Sequence, residues 1–337
     1  MKIITSQQAY ANLKNGIKQK IFRIPGKFEP GCDHDVLLPK LLPKFKLSQK
    51  EKIFTIGSCF AREIEKLLID GNFNVPVSTF ALPSGELIHP APHLLNEYNV
   101  GTILQRIESI VGAFKYSEKG IEKVGENAHI DLFLHIHQEP VTLERLLARR
   151  KEIDALYMQI INSDTIIITM GLTECWYDTV DQCYLNKAPS KKLVTSHPER
   201  YQFHRMDVED ILSRMSAAIK LLNSISEKKI LLTVSPVALE ATFMNNNAVM
   251  ANSYSKATLR VVAEILKEQF SNVDYFPSYE IALSAGLSGL WSDNLHINRD
   301  LVEKITSHML NYYCNNAPVE DNRDFGSTYV DREFNSD

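Results

Sequence analysis

The chain has 337 residues, 44% of them hydrophobic and 23% charged, an ordinary globular composition long enough to bury a large core. A formal net charge of -4, with no block of Lys and Arg, excludes a nucleic-acid binder of the basic-surface kind. Cysteines at 32, 59, 175, 183 and 314 have no paired spacing, and there is neither an N-terminal signal-like apolar stretch nor a run fit to cross a bilayer; free thiols in a reducing cytoplasm are expected.

Residues 1–50 carry short helical patterns broken by Pro25, Pro30, Pro39 and Pro43, which reads as an extension wrapped on a main domain over 51–314. Residues 53–56 form a short apolar run, followed by a Gly57-Ser58 turn and a helix whose Phe60, Ile64, Leu67 and Leu68 share one face. Gly71 stops that helix. A strand is expected near 74–77, then a Pro- and His-containing loop to about 98 and a helix at 100–113. Residues 128–137 alternate, with Ile130, Leu132, Leu134 and Ile136 on one face and His129, Asp131, His135 and His137 on the other, which predicts a strand. A helix over 142–161, a strand over 165–170 and a long polar loop over 171–206 follow. Asp207 is a good N-cap for a helix whose apolar positions run from Val208 to Leu222. A strand at 230–234, a helix at 252–269, a strand at 273–276 and a last helix at 298–313 complete the domain. Residues 315–337 are a polar, acidic tail.

Strands alternating with helices of this length predict an α/β fold: a parallel sheet with right-handed crossovers and helices on both faces. In such sheets ligands bind beyond the carboxyl ends of the strands. Three segments fall there: Gly57-Ser58, Gly171-Leu172-Thr173-Glu174, and the loop holding Asp293-Asn294-Leu295-His296. A serine at a strand-to-helix turn sits among unpaired N–H groups and the positive helix end, where a developing anion is favoured. A hydroxyl needs a base to take its proton, and the base works best when a carboxylate fixes its tautomer. The spacing Asp293-x-x-His296 puts an acid and an imidazole on one tight loop, so Ser58, His296 and Asp293 form a candidate triad.

The sequence resembles the GSCFA family, a branch similar to the SGNH (GDSL-like) hydrolases. The resemblance is carried by Gly57-Ser58-Cys59-Phe60-Ala61, Tyr98-Asn99 before a helix, Asp131 with His135, Thr169-Met170-Gly171-Leu172-Thr173-Glu174-Cys175-Trp176, Ser235-Pro236-Val237, Asn252-Ser253-Tyr254-Ser255-Lys256-Ala257, the segment from Tyr275 through Ile281, and Asp293-Asn294-Leu295-His296, all in the family's order. It implies a three-layer α/β/α sandwich with a flavodoxin-like parallel sheet. It also implies an acyl-ester hydrolase or O-acyltransferase, acting on acylated carbohydrate through an acyl-enzyme, with Ser58 as nucleophile, His296 as base and Asp293 as its partner. No cofactor and no metal are implied; a transferase would need an acyl donor such as acetyl-CoA. SGNH enzymes hold the oxyanion with the nucleophile's own N–H, a glycine N–H and an asparagine side chain. Here Gly171-Leu172-Thr173-Glu174 departs from that pattern, with Thr173 in the asparagine's place. Asn99 is the candidate replacement donor, and Gly171, Thr173, Glu174 and His135 complete the expected lining.

Plainer readings stand beside these. Ser58 is also a favoured helix cap, and Cys59, one residue into the helix end, is a rival nucleophile. Cys32-Asp33-His34-Asp35 carries metal-ligand residue types of a kind that cluster by chance in loops, and His135-x-His137 resembles a metal-binding strand without the further His and Asp ligands at later strand ends that such a site needs. Trp176, Tyr177, Tyr201 and Phe203 either stack on a sugar or pack within their own loop, and His197 and His204 belong to the same stretch. Lys256 and Arg260, one helical turn apart, either meet an anionic substrate or share a solvated face. The reading from a different class is a binding module that keeps the fold and cleft without turnover.

Overall fold

The computed structural model describes residues 1–83, 86, 91–135 and 139–314. In chain order it contains α1 (Ser6–Gln19), the small hairpin β1 (Cys32–Asp33) and β2 (Val36–Leu37), β3 (Ile53–Gly57), α2 (Phe60–Asp70), α3 (Val100–Ile110), the hairpin β4 (Ile121–Gly125) and β5 (Ala128–Asp131), and α4 (Leu143–Tyr157). Then come β6 (Thr165–Met170), β7 (Glu174–Asp178), β8 (Cys183–Leu185), α5 (Lys191–Ser196), β9 (Tyr201–Arg205) and α6 (Val208–Ile225). The last elements are β10 (Lys229–Val234), α7 (Ala248–Gln269), β11 (Val273–Phe276), α8 (Ser278–Ser284) and α9 (Arg299–Tyr313).

The central sheet runs β11-β10-β6-β3, all parallel. β6 reads Thr-Ile-Ile-Ile-Thr-Met and is buried throughout, as a strand covered on both faces must be. One helical layer holds α3, α6 and α7; the other holds α2, α8 and α9, so the fold is a three-layer α/β/α sandwich. Local signals start α4, α6 and α9 where expected; α7 starts at Ala248, four residues before the expected 252. Asp207 and Asp210 form a reciprocal capping box on α6, and Thr142, Asn247 and Asn298 accept from the first turns of α4, α7 and α9.

Three expected elements differ. The segment at 74–77 makes a single parallel bridge, Asn74 to Lys52, and then a 3₁₀ turn at Pro76–Thr79. Pro76 has no N–H to donate to a ladder, so no fifth strand extends the sheet there. The alternation at 128–137 is a strand only over Ala128–Asp131, paired with β4 rather than with the central sheet. Leu132, Phe133 and Leu134 are all buried in succession, which ends the period of two; His137 lies outside the described residues. The stretch expected as a loop over 171–206 folds into an antiparallel sheet, β8-β7-β9, with α5 between β8 and β9.

The N-terminal segment lies along one end of the sandwich. Leu47 N–H donates to Tyr313 O at 2.7 Å and Lys44 N–H to Asp274 Oδ2 at 2.8 Å. The Lys304 ammonium bonds the Asp33 carboxylate, and His308 Nε2 lies 2.8 Å from Pro39 O. Among the described residues no helix is long and apolar enough to cross a membrane.

Candidate active site

The site is built on the carboxyl end of β3. Gly57 has φ +136°, and a Cβ there would lie 2.1 Å from the Thr169 carbonyl oxygen of β6. Only glycine fits so close to a neighbouring backbone. Gly57→Ala is therefore expected to cost about 3 kcal/mol or more, read as a fall in thermal midpoint at unchanged protein concentration. The turn is tied on both sides: Ser58 N–H donates to Thr169 O at 3.0 Å, and Glu97 N–H donates to Gly57 O at 2.7 Å.

Ser58 is 1% exposed, and its hydroxyl has no hydrogen-bond partner among the described residues. The cap position of α2 is Cys59, without a side-chain capping bond. The helix-cap reading of Ser58 thus has no bond behind it. A buried hydroxyl without a partner loses its solvation for nothing, which natural cores avoid unless the group is kept for use. Cys59 is a poor rival for the chemistry, because burial pushes its thiol up despite the positive charge of Lys256.

Gly171, at the end of β6, closes onto the same point. A Cβ there would lie 2.7 Å from Tyr98 O and 3.2 Å from Ser58 Cβ. Leu172 N–H donates to Tyr98 O at 2.8 Å, so the Tyr98-Asn99 segment runs beside the Gly171 loop. Gly171→Ala is expected to push the Tyr98-Asn99 segment away from Ser58 and to lower both thermal stability and any Ser58-dependent labelling, the latter by at least tenfold as a geometric effect.

The remaining expected residues divide into those at this point and those elsewhere. Thr173 is buried beside it, its N–H accepted by Ser255 Oγ at 3.0 Å and its hydroxyl without a partner. Asn99 caps α3, with Oδ1 accepting from Thr102 N–H at 2.9 Å and Nδ2 donating to Leu185 O at 3.3 Å. Glu174 turns toward the segment after β10, where Oε1 accepts from the Thr242 hydroxyl at 2.7 Å and Oε2 is buried without a partner. His135 is exposed and packs on the Tyr98 ring, centroids 4.3 Å apart.

Asp293 and His296 are already assembled. His296 Nδ1 lies 2.8 Å from Asp293 Oδ2, while Asp293 Oδ1 accepts from the N–H groups of Leu295 and His296 at 2.9 and 3.1 Å. The His296 bond and these two backbone donors hold the Asp293 carboxyl down at about 2, so it stays ionised at neutral pH. Asn294 makes the turn in the left-handed region, φ +56°. Leu295 O accepts from Ala238 N–H at 3.2 Å, docking the loop on the segment after β10. The His296 side chain is 58% exposed. No hydrogen bond among the described residues joins His296 to Ser58.

Two readings of the sequence change. Arg260 is spent on Glu264 and Glu280, at 2.8 and 2.5 Å. Lys256, its neighbour by one turn, is not on a solvated face: it is 1% exposed, and its ammonium donates to Gly171 O at 2.9 Å. The signal was in the helix pattern, since Lys256 shares a stripe with Leu259, Ala263 and Leu266, all buried. The aromatic residues of the 171–206 stretch pack on one another. Trp176 meets Phe203 at 5.4 Å and Phe243 at 5.2 Å, and Tyr177 stacks on His204 at 5.1 Å.

A profile described as the GSCFA family matches residues 52–309. No curated protein matches the chain. Among solved structures the chain is similar to an acetyl xylan esterase at 14% identity and TM-score 0.31, covering 77% of this chain and 97% of that one. It is similar to a GDSL-like lipase from Parabacteroides merdae at 12% identity and TM-score 0.36, over 80% and 97%. An acetyl-xylooligosaccharide esterase variant from Geobacillus follows at 16% identity and TM-score 0.33, over 79% and 95%.

Proposed function

The chain belongs to the GSCFA family, and from that premise we propose that it is a serine-dependent acyl-ester hydrolase or O-acyltransferase acting on acylated carbohydrate. The observation that carries this reading is the Ser58 hydroxyl, buried and unpartnered at the end of a parallel strand and against Gly171. A preassembled Asp293–His296 pair supports it. In the proposed reaction Ser58 Oγ bonds to the acyl carbon while its proton passes to His296 Nε2. Asp293 holds Nδ1–H and stabilises the imidazolium. The tetrahedral intermediate collapses as the alcohol leaves with the proton from His296, giving acyl-Ser58. Water or a sugar hydroxyl then attacks the acyl carbon, its proton goes to His296, and Ser58 Oγ leaves and is reprotonated. Water gives hydrolysis; a sugar hydroxyl gives transfer, for which acetyl-CoA is a suitable donor.

Trp291 favours a carbohydrate on the acceptor side. It is 54% exposed on the loop that carries His296, so its indole face is free to stack on a sugar ring. The reading requires that this loop bring His296 Nε2 onto Ser58 Oγ when substrate is bound. The test is a fluorophosphonate probe together with release of acetate from acetylated xylo-oligosaccharide. Labelling of the wild type that is lost in Ser58→Ala and in His296→Ala is the expected result; a wild type that does not label refutes the enzyme reading.

The second reading, a binding module, is favoured by Ser58 N–H being spent on Thr169 O, which removes a donor that an oxyanion hole of this kind uses. It predicts saturable binding of the acylated oligosaccharide by calorimetry with no acetate released.

A further inference from the structure

Lys256 is a fully buried lysine with one hydrogen bond among the described residues, from its ammonium to Gly171 O at 2.9 Å. Two of its three N–H donors therefore have no protein acceptor among the described residues. The hydrogen-bonding groups around Gly171 are mostly assigned. Met170 O accepts from Ser235 N–H at 2.8 Å, Gly171 O from Lys256, and Leu172 N–H goes to Tyr98 O. Among the described residues nothing accepts from Gly171 N–H. Around the same strand end sit the buried, unpartnered hydroxyls of Ser58, Thr169 and Thr173. Thr173 stands where a side-chain amide is expected, and Asn99 uses its amide on the α3 cap and on Leu185 O. Asn96, bridged to Gly57, gives its amide nitrogen to the Tyr98 hydroxyl at 3.2 Å; among the described residues this corner has a free backbone donor and a buried cation.

The geometry points to Lys256 as a positioning residue of the Ser58 site: its ammonium on Gly171 O holds the Gly171–Leu172 peptide, Ser235 N–H on Met170 O holds the Met170–Gly171 peptide that carries the free Gly171 N–H, and the buried charge sets positive potential beside the place of the acyl oxygen. This rests on the serine-enzyme reading above. A charge in a water-excluded corner acts on a developing oxyanion far more strongly than in water. The cost of burying it shows in Lys256 itself, which desolvation pushes down to about 7. The group facing it from α2 is Cys59, whose thiol also bonds Tyr98. Burial raises both the Cys59 thiol and the Tyr98 hydroxyl, so both stay neutral at that pH. The sign follows: Lys256 is charged below about 7 and neutral above it, so its support for the oxyanion is lost as pH rises through that value.

The experiment measures the rate of fluorophosphonate labelling and of acetate release from pH 5 to 9 in wild type, Lys256→Met and Lys256→Arg. The wild type is expected to lose rate on the alkaline side as Lys256 deprotonates. Lys256→Met should fall on the order of 10²-fold at pH 6, the scale of one lost oxyanion interaction, with little change in KM and with the alkaline loss gone. Lys256→Arg, permanently charged, should keep part of the rate and remove the alkaline loss. A Lys256→Met protein with wild-type rate and wild-type pH profile overturns the inference while leaving Ser58 as nucleophile. Should Lys256→Met fail to fold, the alkaline limb of Lys256→Arg decides alone: an unmoved limb overturns the inference. A wild type that does not label removes both this inference and the reading under it.

Discussion

Replacing Ser58 by alanine should abolish fluorophosphonate labelling and lower ester turnover on the order of 10⁴-fold or more, because a catalytic unit fails as a whole when its nucleophile is removed. The fold should survive the change. Ser58 Oγ makes no hydrogen bond among the described residues, so its deletion breaks none of theirs and removes a buried group whose desolvation they leave uncompensated. Ser58→Ala should therefore melt at or slightly above the wild-type temperature while being inactive, a combination that a structural serine would not give. Cys59→Ala should label at near wild-type rate. If Ser58→Ala still labels and Cys59→Ala does not, the nucleophile is the thiol, and the account of the turn has to be rewritten around it.

Arg106→Met should cost about 3–5 kcal/mol, the usual consequence of removing one member of a buried ion pair. Arg106 Nε donates to Glu97 Oε1 at 2.6 Å, both side chains being almost fully buried, and its guanidinium lies over the rings of Tyr116 and Tyr157 at 4.2 and 5.1 Å. Without it Glu97 is left as a buried carboxylate that burial already pushes up. The effect reaches the site because Glu97 N–H is the group that holds Gly57 O. Chemical denaturation gives the stability loss, and the double change Glu97→Gln with Arg106→Met should recover a good part of it, since the buried Glu97 charge is gone and Asp154, 3.5 Å from the guanidinium, is 42% exposed and can be solvated. Recovery close to zero would mean that Arg106 acts through its ring contacts instead.

The sheet was readable because its strands are short β-branched runs such as 165–170, and a strand covered on both faces has no need of polar alternation. The start of α6 was readable from Asp207, since capping is a local interaction; the start of α7 at Ala248 was not, its cap Asn247 lying in a polar run of three asparagines, 245–247. The Asp293–His296 pair follows from its spacing of three residues, which brings the side chains together within one turn. Other features depend on distant partners. The sheet formed by β7, β8 and β9 has half-buried strands whose aromatic residues face one another, so its sequence shows neither a clean alternation nor a continuous apolar run. Lys256 looked like half of a surface pair because its true partner is a carbonyl 85 residues earlier in the chain. That Asn99 caps a helix was legible from its place before α3; that its other amide end meets Leu185 O was not.

The strand that leads into Ser58 lies at one margin of the central sheet, and among the described residues its outer side is fastened near its ends, by Asn74 O accepting from Ile53 N–H and by Glu97 N–H reaching Gly57 O. Those two clasps replace what would otherwise be a row of ladder bonds. All five residues of β3 are buried, so the margin is covered while the clasps hold, and partial opening there would expose an edge on which a second chain can add itself. Hydrogen exchange should find the outward amide of Ile53 less protected than the amides of Ile167 and Ile168, which sit between two neighbours. Variants that loosen either clasp should associate, seen as light scattering, before they unfold the domain, which would tie resistance to aggregation to the strand that leads into Ser58.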